Sequence, residues 1–216
     1  ILLLLNRVKF SSDGVNRILN LLSEIKDDKN LNFSEKDSIK IKFDKEINVS
    51  NVSYKYPDRG YQVLENVNLK IKKNTFIGIS GESGSGKSTL IDIIMGVIRP
   101  NIGHILIDNV SMDISIRDWQ KKIGYVSQDI FLFPDTIRKN IALGLPENEI
   151  DDELLNEVIR KSSLKKFIDS LKNGLNTHIG EGGSLISGGQ KQRIGIARAL
   201  YNKPGLLIFD EATSAL

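Results

Sequence analysis

The chain has 216 residues with 40% hydrophobic content, enough for one substantial domain, or a domain with a tail, around an ordinary packed core. Lys and Arg number 30 against 27 Asp and Glu, spread without any block of like charge, so the net charge of +3 excludes the footprint of a dedicated nucleic-acid binder. Cysteine is absent, which excludes a disulfide framework and a thiolate metal site, and the two histidines, His104 and His178, lie too far apart in sequence to suggest a ligand pair.

The opening ILLLL carries no initiator Met and no charged signal region, and reads as a piece of something longer. It is too short to span a membrane, and no run of about 18 apolar residues occurs elsewhere. Helix is predicted between Asn6 and Lys36, with Val15, Ile18, Leu19, Leu22 and Ile25 on one stripe, before the polar linker DDKNLNFSEKDS. Residues 1–38 are therefore expected to form a linker helix, and 39–216 the main domain.

Strand signals begin at Ile39. IKIKF alternates, Val52, Tyr54 and Tyr56 alternate again after a shift in phase, and VNLKI follows the turn-like PDRG. TFIGIS then reads as a short buried strand, GESGSGKS as a loop, TLIDIIMGVIRP as an apolar helix stopped by Pro100, and GHILIDN as another strand. From about 128 to 190 the character is helical: DDELLNEVIRK places Leu154, Leu155, Val158 and Ile159 on one face, and LKKFIDSL does the same with Leu164, Phe167, Ile168 and Leu171. QKQRIGIARALYN is a further helix, KPG a break, and LLIFD a buried apolar strand running into two carboxylates. The sum is an α/β core with a β-rich opening and an inserted helical subdomain.

Three motifs carry chemistry. Gly81-x-x-x-x-Gly86-Lys87-Ser88 has the spacing of a phosphate-binding P-loop, between a predicted strand and a predicted helix. Its glycines let backbone N–H groups converge on phosphate oxygens, and the helix N-terminus adds partial positive charge. Lys87 would reach the outer phosphates of a nucleotide and Ser88 would offer its hydroxyl to Mg²⁺. The second motif, Asp210-Glu211 at the end of an apolar strand, supplies what phosphoryl transfer needs: one carboxylate to hold Mg²⁺ and another to take a proton from attacking water. The third, Ser187-Gly188-Gly189-Gln190, opens a helix and is a second anion-binding helix start.

ISGGQKQRIGIARAL resembles the signature motif of the ATP-binding-cassette (ABC) ATPases, with Ile186 in place of the usual Leu. The resemblance covers residues 39–216 and implies a P-loop NTPase core with an N-terminal antiparallel β subdomain and an inserted α-helical subdomain. It implies ATP and Mg²⁺ as ligands, and a second ABC ATPase domain as partner, whose nucleotide would be closed by Ser187, Gly188, Gly189 and Gln190. Gly81, Ser83, Gly84, Ser85, Gly86, Lys87, Ser88 and Thr89 would hold the phosphates, and Tyr56 in VSYKYP resembles the aromatic that stacks on adenine. Gln128 in GYVSQD resembles the Q-loop glutamine at Mg²⁺ and the attacking water, Asp210 the metal-binding acid, and Glu211 the general base.

Ser214-Ala215-Leu216 resembles the start of the D-loop, where the sequence stops. The switch histidine of the family would lie beyond it, so the 216 residues as they stand are expected to bind ATP but to hydrolyse it poorly.

FLFPDTIRKNIALG resembles the segment after the Q-loop in ABC exporters, and Gly180-Glu181-Gly182 their x-loop, which touches the membrane domain. With ILLLLNRVKFSSDGVNRIL resembling the exit of a last membrane helix, the implied function is the motor of an exporter at the cytoplasmic face of a bacterial inner membrane. Its further partner would be a transmembrane domain; SSDGVNRIL resembles half-transporters that flip lipids or lipid-linked oligosaccharides, and multidrug and peptide exporters stay open beside them for the cargo. The alternative is a soluble ABC-class ATPase acting in DNA repair or translation. Trp119 reads as a packing residue, and Arg193 and Arg198 as anchors of the helix after the signature.

Overall fold

The computed structural model describes residues 40–210; the expected N-terminal helix, its linker, Glu211 and the Ser214–Leu216 stretch lie outside it. In chain order the elements are β1 (Glu46–Tyr54), β2 (Leu64–Lys72), α1 (Lys87–Ile94), β3 (Ile102–Ile107), β4 (Val110–Ser111), α2 (Ile116–Gln120) and β5 (Ile123–Val126). They continue with α3 (Ile137–Ile141), α4 (Asp152–Lys161), α5 (Lys165–Asp169), α6 (Gly188–Tyr201) and β6 (Leu206–Phe209). β1 to β4 make an antiparallel sheet in the order β2-β1-β3-β4, and β5 and β6 make a parallel pair.

The phase shift expected early in the chain is a bulge in β1. Ile47 and Val49 face the core before it and Val52 and Tyr54 after it, while Asn51 takes φ 51° and its N–H donates to Asn68 Oδ1 at 3.0 Å. The register against both β2 and β3 slips at the same point. Gly103 opens β3 against this bulge with φ +87°, and a Cβ there would lie 2.5 Å from the carbonyl oxygens of Ser50 and Asn51, so only glycine fits. Ile41 and Phe43, expected in a strand, are buried on one side of an extended segment that precedes β1.

Residues 75–80, TFIGIS, form no regular element and belong to neither sheet, contrary to the expected buried strand. Phe76 is 94% exposed, with Ile77 and Ile79 near 40%. An apolar run becomes a buried strand only when neighbours pair its backbone and cover its faces. β6 is likewise half-buried rather than buried, with Phe209 exposed.

Helix α1 ends at Ile94, six residues before Pro100. Gly96 at φ +70° ends it: its N–H donates to Ile93 and that of Val97 to Asp92, the paired bonds of a Schellman cap.

Two hydrophobic cores form. One joins the antiparallel sheet, α1 and Trp119; the other joins α3, α4, α5 and α6 from Leu132 to Tyr201. Trp119 packs as expected, fully buried, with its Nε1–H donating to the Ile94 carbonyl at 2.8 Å and its ring edge-on to Phe43. In the second core, Arg198 anchors α6: Nε donates to the Asn140 carbonyl at 2.8 Å, Nη1 to that of Phe131 at 2.9 Å, and Nη2 to Asn140 Oδ1 at 3.1 Å. Asn140, fully buried, returns bonds to Phe133 and Thr136, so one polar knot fixes the 131–140 segment to α6.

Candidate functional site

The loop before α1 is shaped by its glycines. Gly84 has φ +81° and open space where a Cβ would go, while Gly86 has φ +91° and would push a Cβ against Leu64 and the Val63 carbonyl, at 2.8 and 2.9 Å. A Cβ at Gly81 would lie 2.8 Å from Ser85 Oγ, and Ser85 N–H turns back to the Glu82 carbonyl. No side chain caps α1, whose N-cap is Gly86, so its first-turn amides face outward without a built-in acceptor.

Lys87 lies across this loop, with Nζ donating to the carbonyls of Gly81 at 2.9 Å and Glu82 at 2.8 Å. An ammonium held over exposed amides at a helix start is a cradle for an anion. Ser83 and Ser88 are exposed beside it, and Thr89 is buried behind it.

Tyr56 reaches the cradle from the antiparallel sheet. Its hydroxyl shares a hydrogen bond with Thr89 Oγ1 at 3.2 Å, and its half-buried ring stands edge-on to Tyr54, with centroids 4.9 Å apart. The Arg59 guanidinium lies 5.2 Å from the Tyr56 ring centroid, and a groove of about 540 Å³ opens beside the ring between Lys55, Pro57, Gly60, Gln62 and Asn101. An aromatic base stacking on Tyr56 would share the ring with this guanidinium.

On the opposite side, Asp210 continues β6: its N–H donates to the Val126 carbonyl at 3.0 Å, and Tyr125 Oη donates to its Oδ2 at 3.1 Å. Asp92, one turn beyond Ser88 on α1, feels the same carboxylate. Burial raises its carboxyl above the usual value, and the charge of Asp210 raises it further. Burial, then the bond to Asp210, push the Tyr125 phenol up to about 12. Asp92 and Asp210 carry like charge, an electrostatic setting that a divalent cation would relieve. Gln128, two residues past β5, is exposed, and Glu211 lies outside the described residues.

Ser187 and Gln190 close a capping box on α6: Ser187 N–H donates to Gln190 Oε1 at 2.8 Å, and Gln190 N–H to Ser187 Oγ at 3.4 Å. The spacing Ser-x-x-Gln is itself a capping-box pattern that a reading for anion binding alone passes over. Gly188 and Gly189 form the first turn. This helix start belongs to the second core, whereas the P-loop rests on the first. Tyr125 and Asp92 escape sequence reading because their relevance depends on the β5–β6 register and on the approach of α1.

A family model described as "ABC transporter" matches residues 64–214, well over half of the chain. An export ATP-binding/permease protein of Rickettsia typhi is 40% identical over 217 aligned positions, covering 99% of this chain and 36% of that protein. The ATP-dependent lipid A-core flippase of Ralstonia nicotianae is 38% identical over 173, covering 79% and 29%. A solved structure of a bacterial Atm1-family ABC exporter with ATP bound superimposes with a TM-score of 0.81 at 30% identity, covering 95% of this chain and 36% of that one. The chain thus spans about a third of the length of these relatives. These matches, over a chain that carries the Lys87 cradle and the capped SGGQ helix start, show that the chain belongs to the ABC transporter family through its ATP-binding domain.

Proposed function

We propose that the chain is the ATP-hydrolysing motor domain of an exporter, working at the cytoplasmic face of a bacterial inner membrane. The observation that carries this reading is the Lys87 ammonium bridging the Gly81 and Glu82 carbonyls over the uncapped start of α1. Export is supported by relatives named as an export permease, a lipid A-core flippase and an Atm1-family exporter. A lipid-like cargo rests on the flippase alone.

In this reading Lys87 leaves its two carbonyls for the outer phosphates of ATP, and the amides from Ser83 to Thr89 share the remaining charge. Tyr56 holds the base, while Ser88, Gln128 and Asp210 form the donor set for Mg²⁺. ATP would supply the phosphoryl group, and Mg²⁺ would neutralise the charge that develops on its phosphate oxygens. Glu211 takes the proton of the attacking water. Ser187 to Gln190 serve the nucleotide of a second ABC ATPase domain docked head to tail, and the closing and parting of the two domains works a transmembrane domain.

The test uses the full-length transporter. Lys87→Ala weakens ATP binding at least tenfold in a binding isotherm, whereas Glu211→Gln keeps binding and lowers turnover by about 10²–10⁴. A Lys87→Ala isotherm identical to that of the wild type removes the P-loop assignment, and unchanged turnover in Glu211→Gln removes the general base.

A further inference from the structure

Asp210 is the only expected Mg²⁺ ligand among the described residues that carries charge, and the ladder that fixes its backbone leaves its carboxylate orientation undetermined. β5 and β6 run parallel with Tyr125 opposite Ile208 and Val126 opposite Phe209, and Asp210 adds one bond to the Val126 carbonyl. Side chains alternate along a strand, so Ile208 and Asp210 emerge on one face of β6, the face shared by Tyr125 of β5. The tyrosine ring spans the diagonal offset, and its Oη donates to Asp210 Oδ2 at 3.1 Å.

Tyr125 is 41% exposed and its hydroxyl could be satisfied by water, so the contact with Asp210 is not forced by a buried donor in need of a partner. What the contact does is occupy one carboxylate oxygen with a donor and set the rotation of the group. Asp92 on α1 feels the charge of Asp210, and it shares a helix face with Ser88 one turn earlier.

We propose that Tyr125 is a positioning residue for the metal-binding carboxylate: its hydroxyl holds Asp210 Oδ2 so that Oδ1 is presented to the divalent cation. The inference rests on the reading of Asp210 as a Mg²⁺ ligand given above. Donors that hold a metal-binding carboxylate without touching the metal typically change metal affinity by roughly 10–100-fold.

The experiment measures Mn²⁺ affinity by electron paramagnetic resonance, on the full-length transporter with the non-hydrolysable analogue β,γ-imido-ATP, for wild type, Tyr125→Phe and Asp210→Asn. Binding of the same analogue in EDTA is measured alongside. Tyr125→Phe keeps the ring and loses only the hydroxyl. The expected result is a Mn²⁺ affinity about tenfold weaker, with metal-free nucleotide binding unchanged and a larger loss in Asp210→Asn. Thermal shifts separate positioning from plain stability, since a structural role for the hydroxyl lowers the melting temperature equally with and without Mn²⁺, and that result overturns the proposal. Normal Mn²⁺ affinity in Tyr125→Phe beside a deficient Asp210→Asn overturns the role of Tyr125 alone. Normal affinity in Asp210→Asn overturns the metal assignment itself, and the proposal falls with it.

Discussion

The carboxylate of Asp108 lies beneath three consecutive amides, accepting from Asp44 N–H at 2.5 Å, Lys45 at 2.9 Å and Glu46 at 2.8 Å. It thereby ties the segment before β1 to the turn between β3 and β4. Burial alone would raise its carboxyl, but the three N–H groups and the Lys45 charge outweigh burial and hold it below the usual carboxylate range. A depressed folded-state value means that the stabilisation is present above the unfolded value and is lost as pH falls through the folded one. Asp108→Ala should therefore cost about 1–2 kcal/mol at neutral pH, and the gap from wild type should close on acidification below pH ~4, read as urea midpoints against pH. None of this is visible in the letters GHILIDN. By contrast Lys87, Gly86 and Ser187 announce themselves by spacing, because a P-loop and a helix cap are local devices whose parts are near in sequence. Tyr125 and Asp108 act across 85 and more than 60 residues respectively, and only the fold makes their partners known.

Among the elements, those with their own internal hydrogen bonds were legible. Helix α4 follows the expected stripe, with Leu155, Val158 and Ile159 buried and Asp151 capping it through the Leu154 N–H. α6 runs its full expected length. Strands depend on neighbours that sequence does not display: Phe76, Ile77 and Ile79 lie in a segment that pairs with neither sheet, and β6 is half-exposed. The bulge in β1 was legible as a phase shift, but its cause, the approach of Gly103, was not. Gly103→Ala would have to clear two carbonyl oxygens and adopt an unfavourable φ, at a cost of about 2–4 kcal/mol in chemical denaturation. A loss below about 0.5 kcal/mol would mean that the β1–β3 crossing relaxes more freely than its geometry implies.

The two hydrophobic cores share no buried residue; between them Val126 and Ala199 make a small contact of β5 with α6. The P-loop belongs to the first and the signature helix to the second, so stability and nucleotide binding are separable. Leu155→Ala, deep in the second core, should lower stability by about 2–5 kcal/mol while shifting ATP affinity less than about twofold, measured by denaturation and by isotherm on the same preparation. A matching loss of affinity would show the P-loop to be strained by events in the helices.

The capping box at Ser187 and Gln190 has a further consequence. Each residue spends acceptor capacity on the other's amide: Ser187 Oγ takes the Gln190 N–H, and Gln190 Oε1 takes the Ser187 N–H. Left facing outward are the hydroxyl hydrogen and the side-chain NH₂, both donors. The cap thus leaves two donors, the Ser187 hydroxyl and the Gln190 NH₂, for an acceptor such as a phosphate, while one lone pair on each oxygen is already engaged. Glutamate at position 190 could close the same box, since its carboxylate accepts equally well, but it would present charge where the amide presents donors. Folding of the helix therefore draws on the oxygens of these two side chains, and the proposed recognition of an anion on their hydrogens.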